Sequence, residues 1–251
     1  MGHDIEDINN AGLADVFELY MSPEDNYRRK MFMSSNTYQL YQNFDYYGYQ
    51  YQYNRNTLQI NQGPRPGQND SIGDPAFSET SFLSGTAQTD WSWCPLITDF
   101  DNDGYRDIVI TNGYPRDVTD HDFTTFRAEA YLIASKKQIL DQIPIVKIPN
   151  YAFRNGGNLE FSDVSKNWGL TDPSFSNGAV YADLDNDGDM DMVINNIDDE
   201  AFIYKNTLRD KNRSGNHYLQ IQFKGGPQNL NGIGAWAYIY YDKGKHQVYE
   251  N

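Results

Sequence analysis

Two copies of one acidic phrase decide how this sequence folds: DFDNDGYRDIVITNG at residues 99–113 and DLDNDGDMDMVINN at residues 183–196. Both copies read D-[FL]-D-N-D-G-x-x-D, and both continue into an apolar, β-rich run. They lie 84 residues apart, measured from Asp99 to Asp183. Carboxylates spaced this closely repel one another unless positive charge lies among them. The phrase therefore predicts a repeated loop that holds a cation.

The residue types of the loop indicate which cation it is. Aspartates occupy positions 1, 3, 5 and 9, a glycine that permits a sharp turn occupies position 6, and the position-7 carbonyl can add an oxygen. Such hard oxygen ligands suit Ca²⁺, whereas Zn²⁺ prefers His or Cys, and neither loop contains them. The predicted calcium ligands, with Tyr105 and Asp189 acting through their carbonyls, are Asp99, Asp101, Asp103, Tyr105, Asp107, Asp183, Asp185, Asp187, Asp189 and Asp191.

The loop differs from an EF-hand. Position 12 is Ile110 or Ile194 instead of a bidentate glutamate, and an apolar β run follows where a helix would leave. The pattern predicts a β-hairpin pinned by calcium. A solvated acidic turn without metal is the alternative, and the recurrence of the full spacing argues against it.

A third, degenerate copy lies near the N-terminus. It keeps Asp7, Asn9 and Asp15 but has Ala11 at position 5, where no side-chain oxygen exists. We predict a weaker metal site there, with Asp7, Asn9 and Asp15 as its ligands. In chain order, the first loop is residues 7–15, the second loop residues 99–107 and the third loop residues 183–191.

A second phrase recurs between the loops. It reads NTLQINQG at 56–63, YAFRNGG at 151–157 and AFIYKN at 201–206, each a short alternating strand that ends at Asn or Gly. Radial repetition of such units gives a β-propeller. The predicted fold is all-β, a partial β-propeller of two to three blades over residues 1–208. Closure needs at least four blades, so we expect an internal fragment of a larger protein that supplies the remaining blades.

Two helical insertions are predicted within the blades. Residues 22–33 begin with Ser22 as N-cap and Pro23 at the first helical position. Residues 124–143 have apolar side chains at near-helical spacing, and Pro144 ends the segment. Both helices are expected to decorate one end of the repeat.

Composition excludes several classes of partner. The formal net charge is −15 and the sequence pI is about 4.5, so nucleic acid is a poor partner. No run of 18 apolar residues could span a bilayer, and no apolar leader opens the sequence. Cys94 is the one cysteine, so no disulfide forms within the chain.

The loop motif, together with the F-x-N-x-G and F-x-D-V phrases between its copies, resembles FG-GAP/VCBS repeats over most of residues 1–206. This resemblance implies blades of an integrin-α-like propeller, usually seven-bladed, with Ca²⁺ in the blade hairpins. Ala11 in the first loop departs from the family pattern.

The last part of the chain, 209–251, resembles the opening of an ASPIC/UnbV domain. The matching features are Asn216, the alternating run 218–223, the glycine-rich 231–235 and Gln247. Alternation followed by a glycine-rich turn also predicts a hairpin. The combined layout is similar to large VCBS-repeat proteins of Bacteroidetes-type bacteria, which implies a secreted, periplasmic or cell-surface location.

Two groups of residues outside the loops are candidates for ligand binding. The first is a tyrosine row on one face of a predicted strand, which could stack on sugar rings or pack between blades. The second is a polar pair that could serve acid–base chemistry, or simply form a turn and a helix cap. These residues are Tyr47, Tyr49, Tyr51, Tyr53, Arg116 and Asp117.

We therefore expect a non-enzymatic extracellular module that binds a glycan or a protein, with Ca²⁺ as a structural element. The alternative is a calcium-dependent polysaccharide lyase or hydrolase on the same scaffold. No GxSxG, HExxH or Walker A motif supports catalysis.

Overall fold

The computed structural model describes residues 1–32, 38–67, 71–211, 217–241 and 244–251. Within these ranges the chain is mostly β-strand, with short helices between strands. No helix of the described ranges is long and apolar enough to cross a membrane. The strands are β1 (His3–Glu6), β2 (Asp15–Glu18), β3 (Met21–Ser22), β4 (Thr57–Pro66), β5 (Ile72–Glu79), β6 (Asp90–Thr98), β7 (Asp107–Asn112), β8 (Tyr151–Asn155), β9 (Phe161–Asp163), β10 (Ser176–Ala182), β11 (Asp191–Asn196), β12 (Phe202–Tyr204), β13 (Trp236–Tyr241) and β14 (Lys245–Glu250).

The strands form three antiparallel blades and a separate hairpin. The first blade has the order β1-β2-β4-β5, the second β6-β7-β8-β9 with β3 added at its edge, and the third β10-β11-β12. In every blade the acidic loop joins the first two strands of the repeat. The first strands of successive blades, β1, β6 and β10, lie against one another. The prediction of a partial all-β propeller with two to three blades is confirmed.

The cores lie between the blades. One cluster joins the first and second blades and includes Ile8, Phe17, Leu58, Ile108 and Phe153. A second joins the second and third blades and includes Leu96, Phe100, Val109, Ala152 and Met192. Burial of such apolar faces contributes about 25 cal/mol for each Å² removed from water. Each blade is thus stabilised by its neighbour.

The first helical insertion begins later than the sequence suggests. Helix α1 is Asn26–Met31, and the carboxylate of Asp25 is its N-cap, accepting from the Arg28 backbone N–H at 2.8 Å. The prediction of Ser22 as N-cap is wrong, because Ser22 belongs to β3 and pairs with Asp90 on β6. Part of the predicted 22–33 segment, Met33, lies outside the described residues.

The second insertion is two helices instead of one. Helix α3 is His121–Ala130 and helix α4 is Lys136–Leu140. Ser135 starts α4 with a reciprocal capping box to Gln138, and this local arrangement breaks the predicted helix 124–143. The side chain of Asp120 is the N-cap of α3, so the turn and helix-cap interpretation of this region is confirmed.

The C-terminal hairpin lies later in the chain than expected. Strands β13 and β14 pair in register, whereas residues 218–223 form no regular strand despite their alternation. The glycine-rich segment closes on itself, because the Asn229 side chain both donates to the Ile233 carbonyl and accepts from its N–H at 2.9 Å. Asn216 lies outside the described residues.

Candidate metal centre

The three acidic loops share one backbone framework. In each loop the position-1 carboxylate accepts hydrogen bonds from the backbone N–H groups of positions 5 and 6, at 2.8–3.1 Å. The position-4 asparagine and the position-6 glycine both have positive φ in all three loops. These are residue types that tolerate the left-handed conformation. The position-1 residues are Asp7, Asp99 and Asp183.

The position-9 aspartate fastens each loop to its blade. One of its oxygens accepts from the N–H of position 2, and the other accepts from the N–H of an asparagine in or just after the third strand, at 2.7–3.0 Å. These carboxylates are buried in all three blades. The pairs are Asp15 with Asn61, Asp107 with Asn155, and Asp191 with Asn206.

Carboxylates converge in the second and third loops. One oxygen from each of Asp99, Asp101 and Asp107 lies within 4.8 Å of the others, and a group of the same kind occurs in the third loop. Two oxygens that share one Ca²⁺, each at about 2.3–2.6 Å from it, are separated by at most about 5 Å. Both groups therefore fit a single hard cation. The third-loop group is Asp183, Asp185 and Asp187.

Burial makes these carboxylates difficult to keep charged without a cation. It is the main reason that the pKa of Asp107 rises to about 8 and that of Asp99 to about 6, and the neighbouring aspartates add to both shifts. Backbone N–H donors oppose the shifts without cancelling them. In the third loop, burial likewise raises the pKa of Asp189 to about 6. The second loop therefore requires positive charge close to its carboxylates.

Two basic side chains, which the sequence analysis missed, partly supply that charge. Arg154 contacts Asp101 at 2.5 Å and Asp103 at 2.7 Å, and Lys205 contacts Asp185 at 2.8 Å. Each base directly precedes the asparagine whose N–H donates to the position-9 aspartate of its blade. The recurring strand phrase could have revealed them through that shared position.

Not every predicted ligand joins the carboxylate groups. The side chain of Asp103 turns to Arg154 and to the Tyr105 N–H, while both oxygens of Asp191 accept backbone N–H groups. Asp189, predicted to act through its carbonyl, has a buried side chain: its Oδ2 accepts from the Arg209 N–H at 3.0 Å, and its Oδ1 has no hydrogen-bond partner.

The first loop offers fewer side-chain oxygens to a metal ion. Asp7 and Asp15 are occupied by backbone N–H groups, and Asn9 accepts from the Ala11 N–H at 3.0 Å. Within the described ranges, the groups of three acidic side chains that could share an ion lie in the other two loops. Metal binding by Asp7, Asn9 and Asp15 stays a prediction.

The tyrosine row is not a strand. Tyr47 ends helix α2, Tyr38–Tyr47, and Gly48 follows with φ +69°, so the chain leaves the helix through a glycine turn. The predicted strand face is therefore wrong. All four tyrosines are 42–64% exposed, so they do not pack between the three described blades. They stack locally instead, Tyr47 on Tyr49 at 5.8 Å and Tyr51 on Tyr41 at 5.3 Å.

Arg116 and Asp117 have different surroundings. Asp117 is 2% exposed and accepts from the Thr119 N–H at 3.0 Å and from Arg28 at 3.5 Å, so it supports a turn. Arg116 is exposed and lines a cavity of about 590 Å³ with Lys136 and other residues of the insertion. The two side chains do not form an acid–base pair.

Comparison with known families agrees with this architecture. Residues 145–194 match the family model of an FG-GAP-like repeat. The match runs from the segment before β8 into β11 and includes the whole third loop. No curated protein sequence matches the chain. The chain thus contains an FG-GAP-like repeat within a partial all-β propeller.

Proposed function

We propose that this chain is a calcium-binding β-propeller module of an extracellular protein that recognises a glycan or a protein ligand. The observation that carries the proposal is the convergence of three carboxylate oxygens within 4.8 Å in the second loop and again in the third. Ca²⁺ is the cation whose ligand type and bond length both groups fit.

In this proposal the ion is structural. It offsets the repulsion among the carboxylates and rigidifies the hairpin between the first two strands of a blade. Extracellular calcium modules hold their ions with Kd of about 10⁻⁴–10⁻³ M. A site of this strength would be filled outside the cell, which supports a secreted, periplasmic or cell-surface location.

The third blade has an uncovered face, which supports further blades of the parent protein as partners. Val180, Leu184 and Ile203 are 56%, 53% and 72% exposed. Their equivalents in the second blade are Leu96, Phe100 and Ala152, which are 5%, 4% and 0% exposed because the third blade covers them. An apolar face of this kind is one that the next blade would bury.

The ligand surface is proposed on the exposed aromatics that surround helix α2. Tyr47, Tyr49, Tyr51 and Tyr53 are 42–64% exposed, and stacking on sugar rings requires accessible aromatic side chains of this kind. We also propose that residues 209–251 begin an ASPIC/UnbV-like domain, as their resemblance to that domain suggests. The proposal is non-enzymatic, and the partners of Asp117, which are the Thr119 N–H and Arg28, support a structural role for this carboxylate.

Thermal unfolding in EDTA, then with Ca²⁺ from micromolar to tens of millimolar, tests the proposal. We expect Tm to rise with Ca²⁺ and not with equal Mg²⁺, since binding to the native state alone stabilises it by mass action. Asp101→Ala combined with Asp185→Ala should abolish the rise. Asp172→Ala removes an exposed carboxylate outside the loops and is the matched control. An unchanged Tm in the wild-type chain would contradict calcium binding.

A further inference from the structure

The C-terminal hairpin packs on the rim formed by the first and second loops. Gln247 on β14 donates to the Gly104 carbonyl of the second loop at 2.8 Å. A Cβ at Gly104 would lie 2.9 Å from Tyr241 Oη, and one at Gly12 in the first loop would lie 3.4 Å from His246 Nε2. The hairpin thus touches the turn glycine of two neighbouring loops.

One buried arginine joins the two loops to the hairpin. Arg106, 3% exposed, donates from Nη1 to the Asp7 carbonyl of the first loop and from Nη2 to the Val248 carbonyl of β14, both at 2.6 Å. Its Nε lies 3.0 Å from a Glu6 carboxylate oxygen, and its guanidinium stacks 4.3 Å from the centre of the Tyr249 ring. A planar guanidinium with several directed donors suits such a junction better than the single point charge of a lysine.

Arg106 occupies position 8 of the second loop, directly before the buried Asp107. The same position is Ala14 in the first loop and Met190 in the third, so among the three loops only the second carries this connection. The Gly104 carbonyl accepts from Asn10 of the first loop as well as from Gln247. The conformation of the second loop therefore fixes both anchors of the hairpin.

We propose that Ca²⁺ in the second loop locks the C-terminal hairpin onto the propeller through Arg106 and Gln247. This inference rests on the proposed calcium site. Without the ion, repulsion among the carboxylates loosens the loop, and the Gly104 carbonyl and the Arg106 side chain lose their fixed positions. An isolated two-stranded hairpin is marginal in water, so β13 and β14 then open more often. Because coupling is reciprocal, the docked hairpin also strengthens calcium binding by the second loop and leaves the third loop unaffected.

Amide hydrogen exchange in the whole chain, with 10 mM Ca²⁺ or with EDTA, tests this calcium-dependent latch between the hairpin and the propeller. We expect exchange within Lys245–Glu250 to slow about tenfold or more in Ca²⁺, within the usual range of coupling between sites. Asp101→Ala should remove this protection, whereas Asp185→Ala, in the third loop, should retain it. Arg106→Met and Gln247→Leu should weaken calcium binding at the second site only, as measured by calorimetry on the same variants.

The outcomes separate the latch from the calcium site. If calorimetry detects no Ca²⁺ binding, the proposed function itself fails. If the second loop binds Ca²⁺ while β14 exchanges equally fast in Ca²⁺ and EDTA, the site stands and the latch is overturned. Equal loss of protection in Asp101→Ala and Asp185→Ala would also overturn it, since that result would reflect general destabilisation.

Discussion

The first and second loops fold alike, although only the second gathers three carboxylates. Both hold positions 5 and 6 with the position-1 aspartate, and both fasten position 9 to the third strand of the blade. They differ at two positions: the first loop has Asn9 at position 3 and Ala11 at position 5, where the second loop has aspartates. The shared loop conformation therefore depends on positions 1 and 9. Position 3, an aspartate in both convergent carboxylate groups, is where the first loop lacks a carboxylate that the other two loops use.

The difference extends to the third strand. Where three carboxylates gather, the residue before the asparagine that bonds to position 9 is basic, Arg154 or Lys205, and beside the first loop it is the apolar Ile60. The basic side chain and the extra carboxylates occur together. This indicates that the blade balances part of the charge of an acidic loop with a side chain of its own.

The largest effect is expected from Asp107→Ala or Asp15→Ala. Each change leaves two backbone N–H groups without their acceptor, and an unsatisfied buried donor costs about 1–3 kcal/mol. We predict that each variant loses about 2–5 kcal/mol of unfolding free energy in EDTA. The loss should be similar for Asp107, whose loop contains a proposed metal site, and for Asp15, whose loop offers fewer ligands. Urea denaturation measures this loss, and Asp101→Ala in EDTA is the control. A near-neutral Asp15→Ala would show that position 9 does not hold the first loop.

Removal of a metal ligand should have a smaller effect that depends on calcium. Asp101→Asn keeps the size of the side chain, so its stability in EDTA should change little. In 10 mM Ca²⁺ it should lack the stabilisation of one site, about 1–3 kcal/mol for a Kd of about 10⁻⁴–10⁻³ M. Urea denaturation of both proteins with and without Ca²⁺ separates the two contributions. Equal losses in both buffers would assign Asp101 a purely structural role.

The comparison can be sharpened by rebuilding the first loop. Asn9→Asp with Ala11→Asp restores both missing carboxylates on a framework that is already formed. We expect one additional Ca²⁺ per chain by equilibrium dialysis, because the conformation of the loop requires no change. Ala11→Asn with Asn9 retained is the control, because it fills position 5 without adding a carboxylate. Unchanged stoichiometry would show that the shared hydrogen-bond framework is insufficient for metal binding.

The smallest effect is expected from Arg154→Met. The Arg154 side chain is 47% exposed, and ion pairs of this kind contribute about 0–1 kcal/mol to stability. Its guanidinium competes with Ca²⁺ for Asp101 and Asp103, so calorimetry should show a few-fold tighter second site. The third site is the internal control and should not change. Weaker binding at the second site would instead make Arg154 a support for the ion.

The repeat made much of the fold predictable. The recurring loop and the strand phrase identify the blades because the same spacing places the same buried aspartate and asparagine in each. Local propensity failed where tertiary contacts prevail. Ser22 has the chemistry of an N-cap, yet β6 pairs with its backbone and Asp25 starts the helix instead. The alternating tyrosines follow the pattern of a strand, which led to the wrong prediction. Gly48, which turns the chain after α2, is a single residue and did not outweigh that pattern.

The contacts that complete the site could not be predicted from spacing alone. Arg154 reaches the second loop from a strand about fifty residues away in sequence, and Arg106 bonds to Val248 near the end of the chain. Nothing local marks Arg106 as a partner of Val248, and the one signal for Arg154 is its position in the recurring strand phrase, which Lys205 shares. Within the loops, spacing suggested the aspartates at positions 1, 3, 5 and 9 equally. The structure gives both oxygens of each position-9 aspartate backbone N–H donors, and it brings Asp107 but not Asp191 into a convergent carboxylate group.

Calcium stoichiometry by equilibrium dialysis, in a background of millimolar Mg²⁺, tests the central claim most directly. We predict two bound Ca²⁺ per wild-type chain, one for each convergent carboxylate group. The Asp101→Ala variant should bind one ion, and the variant that combines Asp101→Ala with Asp185→Ala should bind none. Absence of bound Ca²⁺ in the wild-type chain, or two ions retained by the double variant, would contradict it.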